Sequence, residues 1–315
     1  PPEKCLPHES HVDTSGSMVK REPKYVGRFA PSPTGPLHLG SLCTALASWL
    51  DARVAGGAWL LRIEDIDRER CRRDHAIAII QCLKAHGLQH DGPIGWQSRR
   101  QARYLKTLER LVAQGRAYLC SCSRKQIETQ LIEMGWLASP DAERPYPGHC
   151  RAGMRKSGSG AWRFIVPAEA VSFQDRFAGE VLTSVEKASG DFVIFRADAQ
   201  VSYHLAAVVD DEVDGVTDVI RGDDLLPSTA RQIALQQSLG YRRLRYFHLP
   251  VLRDDKGQKL SKQQGAPPLQ CEHALENLRL AGGHLGLGDL QASSVQSFLE
   301  KAKLAWAKLD WTRLD

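Results

Sequence analysis

Apolar and polar positions change character twice along this chain. Tyr25-Val-Gly-Arg-Phe-Ala30 is a short apolar run that reads as a strand, and Pro31-Ser-Pro-Thr-Gly-Pro36 breaks it. Beyond the break, Leu39, Leu42, Leu46, Trp49 and Leu50 recur at helical spacing, which predicts a helix to about Arg53. Ala58 to Ile63 is a second buried-strand candidate. Helices are expected near 74–86 and 100–114, the second stopped at Gly115. A strand, a Gly-containing turn, a helix and a strand open a parallel α/β sheet.

From 119 to about 185 the pattern differs. This stretch holds three closely spaced cysteines and a Gly/Ser/Pro-rich run, 139–160, and reads as an insertion. The parallel-sheet pattern is expected to resume with Asp191-Phe-Val-Ile-Phe-Arg196 and Asp218-Val-Ile-Arg221. Ser228 is then expected to cap a helix ending at Gly240, and Tyr246 to Leu252 to form a further strand. The domain reading is therefore a disordered extension over 1–23, halves of one parallel-sheet domain at 24–118 and 186–265, the insertion at 119–185, and a short helical tail at 266–315.

Composition narrows the class. The chain has 315 residues, 42% hydrophobic and 25% charged, which is ordinary for a globular protein. Lys+Arg 42 against Asp+Glu 37 gives +5, an excess that allows a nucleic-acid partner without demanding one. No run of about 18 apolar residues could span a membrane, and no apolar core of a secretory signal is seen, so a cytoplasmic location is expected. The eight cysteines do not read as a disulfide framework in such a chain.

Three segments carry candidate chemistry. Pro36-Leu-His-Leu-Gly-Ser41 stands where strand turns into helix, and a helix N-terminus offers unpaired N–H groups to a phosphate. There Gly40 lets backbone approach closely, and His38 is able to donate to a phosphate oxygen. Arg28 lies before that turn, and Glu64, Asp65 and Asp67 follow the second strand beside Arg62 and Arg68. Guanidinium and carboxylate groups at the carboxyl ends of parallel strands suit an acidic α-amino acid, and they equally suit a surface ion-pair cluster. Lys259-Leu-Ser-Lys262 is either an exposed basic loop or a neutraliser of phosphate charge. Cys120, Cys122 and Cys150 offer three thiolates for zinc, with Tyr146 or His149 as a fourth donor, and three metal-free thiols remain the alternative. Ligand chemistry favours His149, but it adjoins Cys150, and neighbours in extended chain point apart.

Taken in order, Arg28 to Gly40, Leu61-Arg-Ile-Glu-Asp-Ile-Asp67 and Lys259-Leu-Ser-Lys262 resemble the glutamyl-tRNA synthetase family over roughly 24–265, the first segment as its "HIGH" element and the last as its "KMSKS" element. The resemblance implies a Rossmann-type parallel-sheet catalytic domain of class I aminoacyl-tRNA synthetases with an inserted zinc-containing subdomain, together with ATP, Mg²⁺ and an acyl-adenylate. It implies glutamate binding by Arg28, Phe29, Ala30, Pro31, Ser32, Glu64, Tyr203 and Arg221, the last near the side-chain carboxylate unless it pairs with Asp223 or Asp224. It implies ATP binding by His38, Gly40, Lys259 and Lys262, with His38 and Lys262 the catalytic pair. The family pattern Cys-x-Cys…Tyr-x-x-x-Cys selects Tyr146 to complete a structural zinc site.

Within the family the chain is most similar to short paralogues. Only residues 263–315 follow Lys262, too few for the anticodon-binding domain of full-length members, so none is expected; Cys43 stands where those members usually carry Arg, and Gln263 runs into Ala266-Pro-Pro-Leu269. That similarity implies a monomer that activates glutamate without tRNA and then esterifies queuosine, the modified wobble base of tRNA(Asp). The rival expectations are a truncated synthetase charging the 3′ end of tRNA(Glu), or a catalytically inactive zinc-containing RNA-binding paralogue.

Overall fold

A computed structural model describes residues 24–136, 144–153, 159–252 and 267–311. Strand β1 (Val26–Phe29), helix α1 (Leu39–Val54) and strand β2 (Ala58–Ile63) form a β-α-β opening unit, with β1 and β2 parallel from Val26↔Ala58 to Phe29↔Leu61. Helix α2 (Arg73–Ala85) leads to the short β3 (Gly95–Trp96), which pairs parallel with β2. Helix α3 (Gln101–Ala113) follows, close to its expected span. The 1–23 extension and the Lys259–Lys262 loop lie outside the described residues.

The second half is a separate sheet. Strand β9 (Asp218–Gly222) and β10 (Arg245–Leu249) run parallel in full register. Helix α6 (Tyr203–Val213) precedes β9, and α7 (Leu226–Leu239) joins β9 to β10. The hairpin β6 (Val171–Asp175) and β7 (Gly179–Thr183) extends this sheet, because β6 pairs with β10 at Tyr246↔Asp175. The two halves meet at Val26: its N–H donates to Thr217 Oγ1 at 2.8 Å, and its carbonyl accepts from Thr217 N–H at 2.9 Å. A crevice therefore opens between the carboxyl ends of β1 and β9, which is where open α/β sheets hold ligands.

Three expectations change. Val193–Phe195 (β8) does not resume the parallel sheet. It pairs antiparallel with β5 (Ala161–Phe164), which pairs antiparallel with β4 (Ala117–Cys120). An apolar run states that a strand is buried, not which sheet buries it. Ser228 is not the cap of α7; a 3₁₀ turn over Asp223–Leu225 winds straight into the helix, leaving Leu225 as N-cap and placing Pro227 in the first turn, where its missing N–H costs nothing. Strand β10 stops at Leu249, because Pro250 cannot continue the ladder.

Helix α4 (Arg124–Glu133) opens with a capping box between Ser123 and Gln126, and α5 (Val185–Ala188) is a single turn. The tail forms α8 (Ala274–His284) and α9 (Val295–Trp306), both packed on α1. Gly282 lies where a Cβ would stand 2.8 Å from the Phe298 ring, so only glycine lets α8 and α9 approach this closely. Buried Asp51 of α1 ties the tail down: it accepts from Trp306 Nε1 at 2.9 Å, Tyr25 OH at 2.7 Å and Arg176 at 2.6 Å. Among the described residues no helix is long and apolar enough to cross a membrane.

Candidate active site

The crevice is a cavity of about 320 Å³. Its first wall is the turn after β1, residues Phe29 to Ser32, with Arg28 at the strand end. Its floor is the start of α1. There His38 is the N-cap residue, and its Nδ1 accepts from Ser41 N–H at 3.3 Å, which holds the ring over the helix entrance beside Gly40. Glu64 closes one side; its N–H donates to Pro31 carbonyl at 3.0 Å and so locks the β2 turn against the β1 turn. Tyr203, Arg221 and the stretch from Leu249 to Leu252 form the opposite wall, and His284 and Leu285 of α8 complete the rim. Arg28, Phe29, Ala30, Pro31, Ser32, His38, Gly40, Glu64, Tyr203 and Arg221 thus surround one cavity. Lys259 and Lys262 lie outside the described residues.

Charge beneath the cavity is buried and paired. Arg62 is 1% exposed and bonds Asp211 at 2.7 Å and Asp214 at 3.1 Å, with Glu64 at 3.6 Å. Arg28 Nε meets the same Asp211 at 3.2 Å. Arg100 reaches Asp210 at 3.0 Å and Asp214 at 2.6 Å, and Tyr104 and Gln97 also donate to Asp210. Helix α6 and its C-cap residue Asp214 therefore present three carboxylates to three arginines. Each charge has left water, and each is tolerable only because its partner stays in place. Burial lifts the Glu64 carboxyl to about 7, against the pull of Arg62 and Arg28 and with help from Asp211 and Asp210.

Arg221 sits differently. It is 4% exposed, yet forms no ion pair with a carboxylate among the described residues, so the bridge to Asp223 or Asp224 is absent. Its partners are neutral: Tyr203 OH at 3.3 Å, Thr229 Oγ1 at 2.7 Å and His248 Nε2 at 3.1 Å. A buried cation facing a cavity without a counter-charge is a place for an anion. Asp210, Asp211, Asp214, Thr229, His248 and Asp175 escaped the sequence reading. The signal available was polar residues inside apolar runs, Asp210 and Asp211 after Val208-Val209 and His248 within Tyr246–Leu249.

The three thiols Cys120, Cys122 and Cys150 converge within 4.8 Å. Tyr146 OH stands 3.2 Å from Cys120 Sγ and 3.5 Å from Cys122 Sγ, and Cys122 and Cys150 sulfurs are 3.6 Å apart. Such spacings fit donors around one tetrahedral ion, since ligands about 2.3 Å from a metal lie somewhat under 4 Å apart. His149 is not within that group. Gly190 fixes Tyr146 in place: it has φ +60°, and a Cβ there would stand 2.3 Å from the Tyr146 carbonyl oxygen. The Arg163 guanidinium lies 3.7 Å over the Tyr146 ring.

A family model described as "tRNA synthetases class I (E and Q), catalytic domain" matches residues 24–278. The "Glutamyl-Q tRNA(Asp) synthetase" of Cupriavidus metallidurans is 48% identical over 286 residues, 90% of this chain and 91% of that protein. The protein of the same name from Bordetella bronchiseptica is 48% identical over 284 residues, 90% of this chain and 88% of its own. Among solved structures, a glutamate tRNA ligase from Elizabethkingia meningosepticum, in complex with its amino acid, aligns with TM-score 0.72 and 25% identity over 89% of this chain and 65% of its own. The glutamate-tRNA synthetase of Elizabethkingia anophelis aligns with TM-score 0.67 and 28% identity over 77% of this chain. The chain spans 53% and 65% of the lengths of these two structures.

The Glu64 carboxyl gives a signed expectation. An unfolded glutamate loses its proton near 4.5, and Glu64 in the fold near 7. Between those values the folded chain binds more protons, so its stability falls as pH rises. Relative to Glu64→Gln, which cannot ionise, the native chain should lose about 3 kcal/mol between about pH 5 and about pH 8 in urea melts. Parallel stability curves would mean that Glu64 is ionised throughout.

Proposed function

The chain belongs to the class I tRNA synthetases for glutamate and glutamine, and within that family we propose that it activates glutamate with ATP and transfers the glutamyl group to queuosine in tRNA(Asp). The carrying observation is that relatives 48% identical over 90% of the chain bear the name glutamyl-Q tRNA(Asp) synthetase, whereas the solved glutamate-tRNA synthetases reach 25–28%. The charging of tRNA(Glu) is less favoured on that contrast. An inactive RNA-binding paralogue is less favoured because Arg28, His38, Glu64 and Arg221 face one cavity.

The proposed chemistry is positional and electrostatic. Arg28 and the Phe29–Ser32 turn receive the amino acid, and ionised Glu64 takes its ammonium group. Tyr203 packs beside it, and Arg221 receives the side-chain carboxylate. The α-carboxylate is thereby aimed at the ATP α-phosphorus; a carboxylate oxygen forms the new P–O bond as pyrophosphate leaves. His38, Gly40 and the α1 N-terminus hold phosphate oxygens, and Lys259 and Lys262 complete that side. Mg²⁺, when bound, neutralises phosphate charge. A queuosine hydroxyl then attacks the acyl carbon, forming an ester and releasing AMP. No protein nucleophile is needed.

Zinc held by Cys120, Cys122, Cys150 and Tyr146 braces the loops between β4 and β5. Purified protein should carry about one zinc per chain. Cys122→Ser should lose it and become open to proteolysis in that segment. A native chain grown with ample zinc but holding none would refute this assignment.

Activation is expected without RNA: glutamate-dependent ATP–pyrophosphate exchange should proceed with the protein alone. Lys262→Ala should slow exchange by about a hundredfold or more while glutamate binding changes little. Exchange that requires RNA, or a Lys262→Ala rate equal to the native rate, would contradict the proposal.

A further inference from the structure

Arg221 is held at three of its five N–H donors, and the hold begins in a different strand. His248 of β10 is fully buried, and its Nε2 faces Arg221 Nε at 3.1 Å. A guanidinium Nε–H only donates, so Nε2 must accept. The ring proton then sits on Nδ1, which donates to Asp175 Oδ2 at 2.6 Å. Asp175 is itself fully buried. Its Oδ1 accepts from the N–H groups of Phe177 at 3.0 Å and Ala178 at 2.9 Å, and Oδ2 accepts from His248 N–H at 3.2 Å. The carboxylate is thus fixed by its own turn, the imidazole by the carboxylate, and the guanidinium by the imidazole. Thr229 Oγ1 stands 2.7 Å from Arg221 Nη2 and 3.0 Å from His248 Nε2, closing the set.

We infer that Asp175 and His248 are positioning residues for substrate recognition: through the Nδ1–H tautomer they hold Arg221 so that its remaining N–H groups, one on each terminal nitrogen, meet a carboxylate in the cavity. This rests on the reading of Arg221 as the partner of the substrate side-chain carboxylate. The arrangement has a chemical reason. A carboxylate beside Arg221 would fix it more strongly but would also neutralise it and compete with the substrate. A neutral imidazole orients the cation and leaves its charge for the ligand. Asp175 lies two bonded partners away, where it sets the tautomer without pairing with the guanidinium. Its place on the β6–β7 hairpin also gives that hairpin a task in the site, through the one β6–β10 register pair, Tyr246↔Asp175.

The test is glutamate-dependent pyrophosphate exchange with His248→Asn, His248→Gln, Asp175→Asn and Arg221→Ala, each checked by thermal melting. Asn at 248 reaches Asp175 but not Arg221, whereas the Gln carbonyl still accepts from Arg221. His248→Asn and Asp175→Asn should raise the KM for glutamate about tenfold or more, with kcat and the KM for ATP within about twofold of native. His248→Gln should recover most of the loss. If His248→Asn leaves the glutamate KM unchanged while Arg221→Ala raises it, the positioning role is wrong and the reading of Arg221 stands. If Arg221→Ala also leaves it unchanged, both fail. A fall in kcat with a rise in both KM values and a lowered melting point in every 248 and 175 variant would reduce the pair to a structural role and overturn the inference.

Discussion

Burying an arginine is costly unless a carboxylate is buried with it, and at the ends of β1 and β2 that pairing organises this molecule. Arg62 and Arg28 emerge from neighbouring strands, and both are met by Asp211. Asp210 of α6 and Asp214 at its C-cap hold Arg100. Removing one partner would leave an uncompensated charge in low dielectric, a cost of about 3–5 kcal/mol. Helix α6 is therefore bound to the β1–β2 half by charge rather than by apolar packing alone. Glu64 lies at the edge of the same network, and burial raises its carboxyl against the pull of Arg62 and Arg28.

The cavity inherits its character from this arrangement. One wall is rich in fixed ion pairs, while the other holds Arg221 among neutral partners. A dicarboxylic amino acid matches that asymmetry, with its ammonium end toward Glu64 and its side-chain carboxylate toward Arg221. The proposed phosphate side is the N-terminus of α1, whose first backbone N–H groups have no partner within the helix. Both proposed functions share one topological switch point, where the chain passes from β1 to α1 and from β9 to α7.

Much of the opening unit was legible because helix and strand periodicities are local. Leu39, Leu42, Leu46, Trp49 and Leu50 describe one face of α1, and Ala58–Ile63 is the strand as expected. Sheet membership was not legible: Val193–Phe195 reads as apolar in either sheet, and only pairing with Trp162 and Arg163 decides. The residues around the cavity could be named because Arg28, His38, Glu64, Tyr203 and Arg221 sit in recognisable segments. The residues that hold them could not, because Asp175, Asp211 and His248 act across 27 to 183 positions of chain. Among the cysteine loops, periodicity could not choose between Tyr146 and His149. In the fold the Tyr146 phenol oxygen stands beside two thiols, with Gly190 close behind its backbone, and His149 lies outside the thiol group.

The central claim is that glutamate leaves this protein on a modified base and not on a tRNA terminus. The most direct measurement is transfer of labelled glutamate onto tRNA(Asp) with and without queuosine, with tRNA(Glu) alongside. Label on queuosine-containing tRNA(Asp) alone, released by mild alkali as an ester should be, is the predicted result. Label on tRNA(Glu) in its place would contradict the account and make this a conventional charging enzyme.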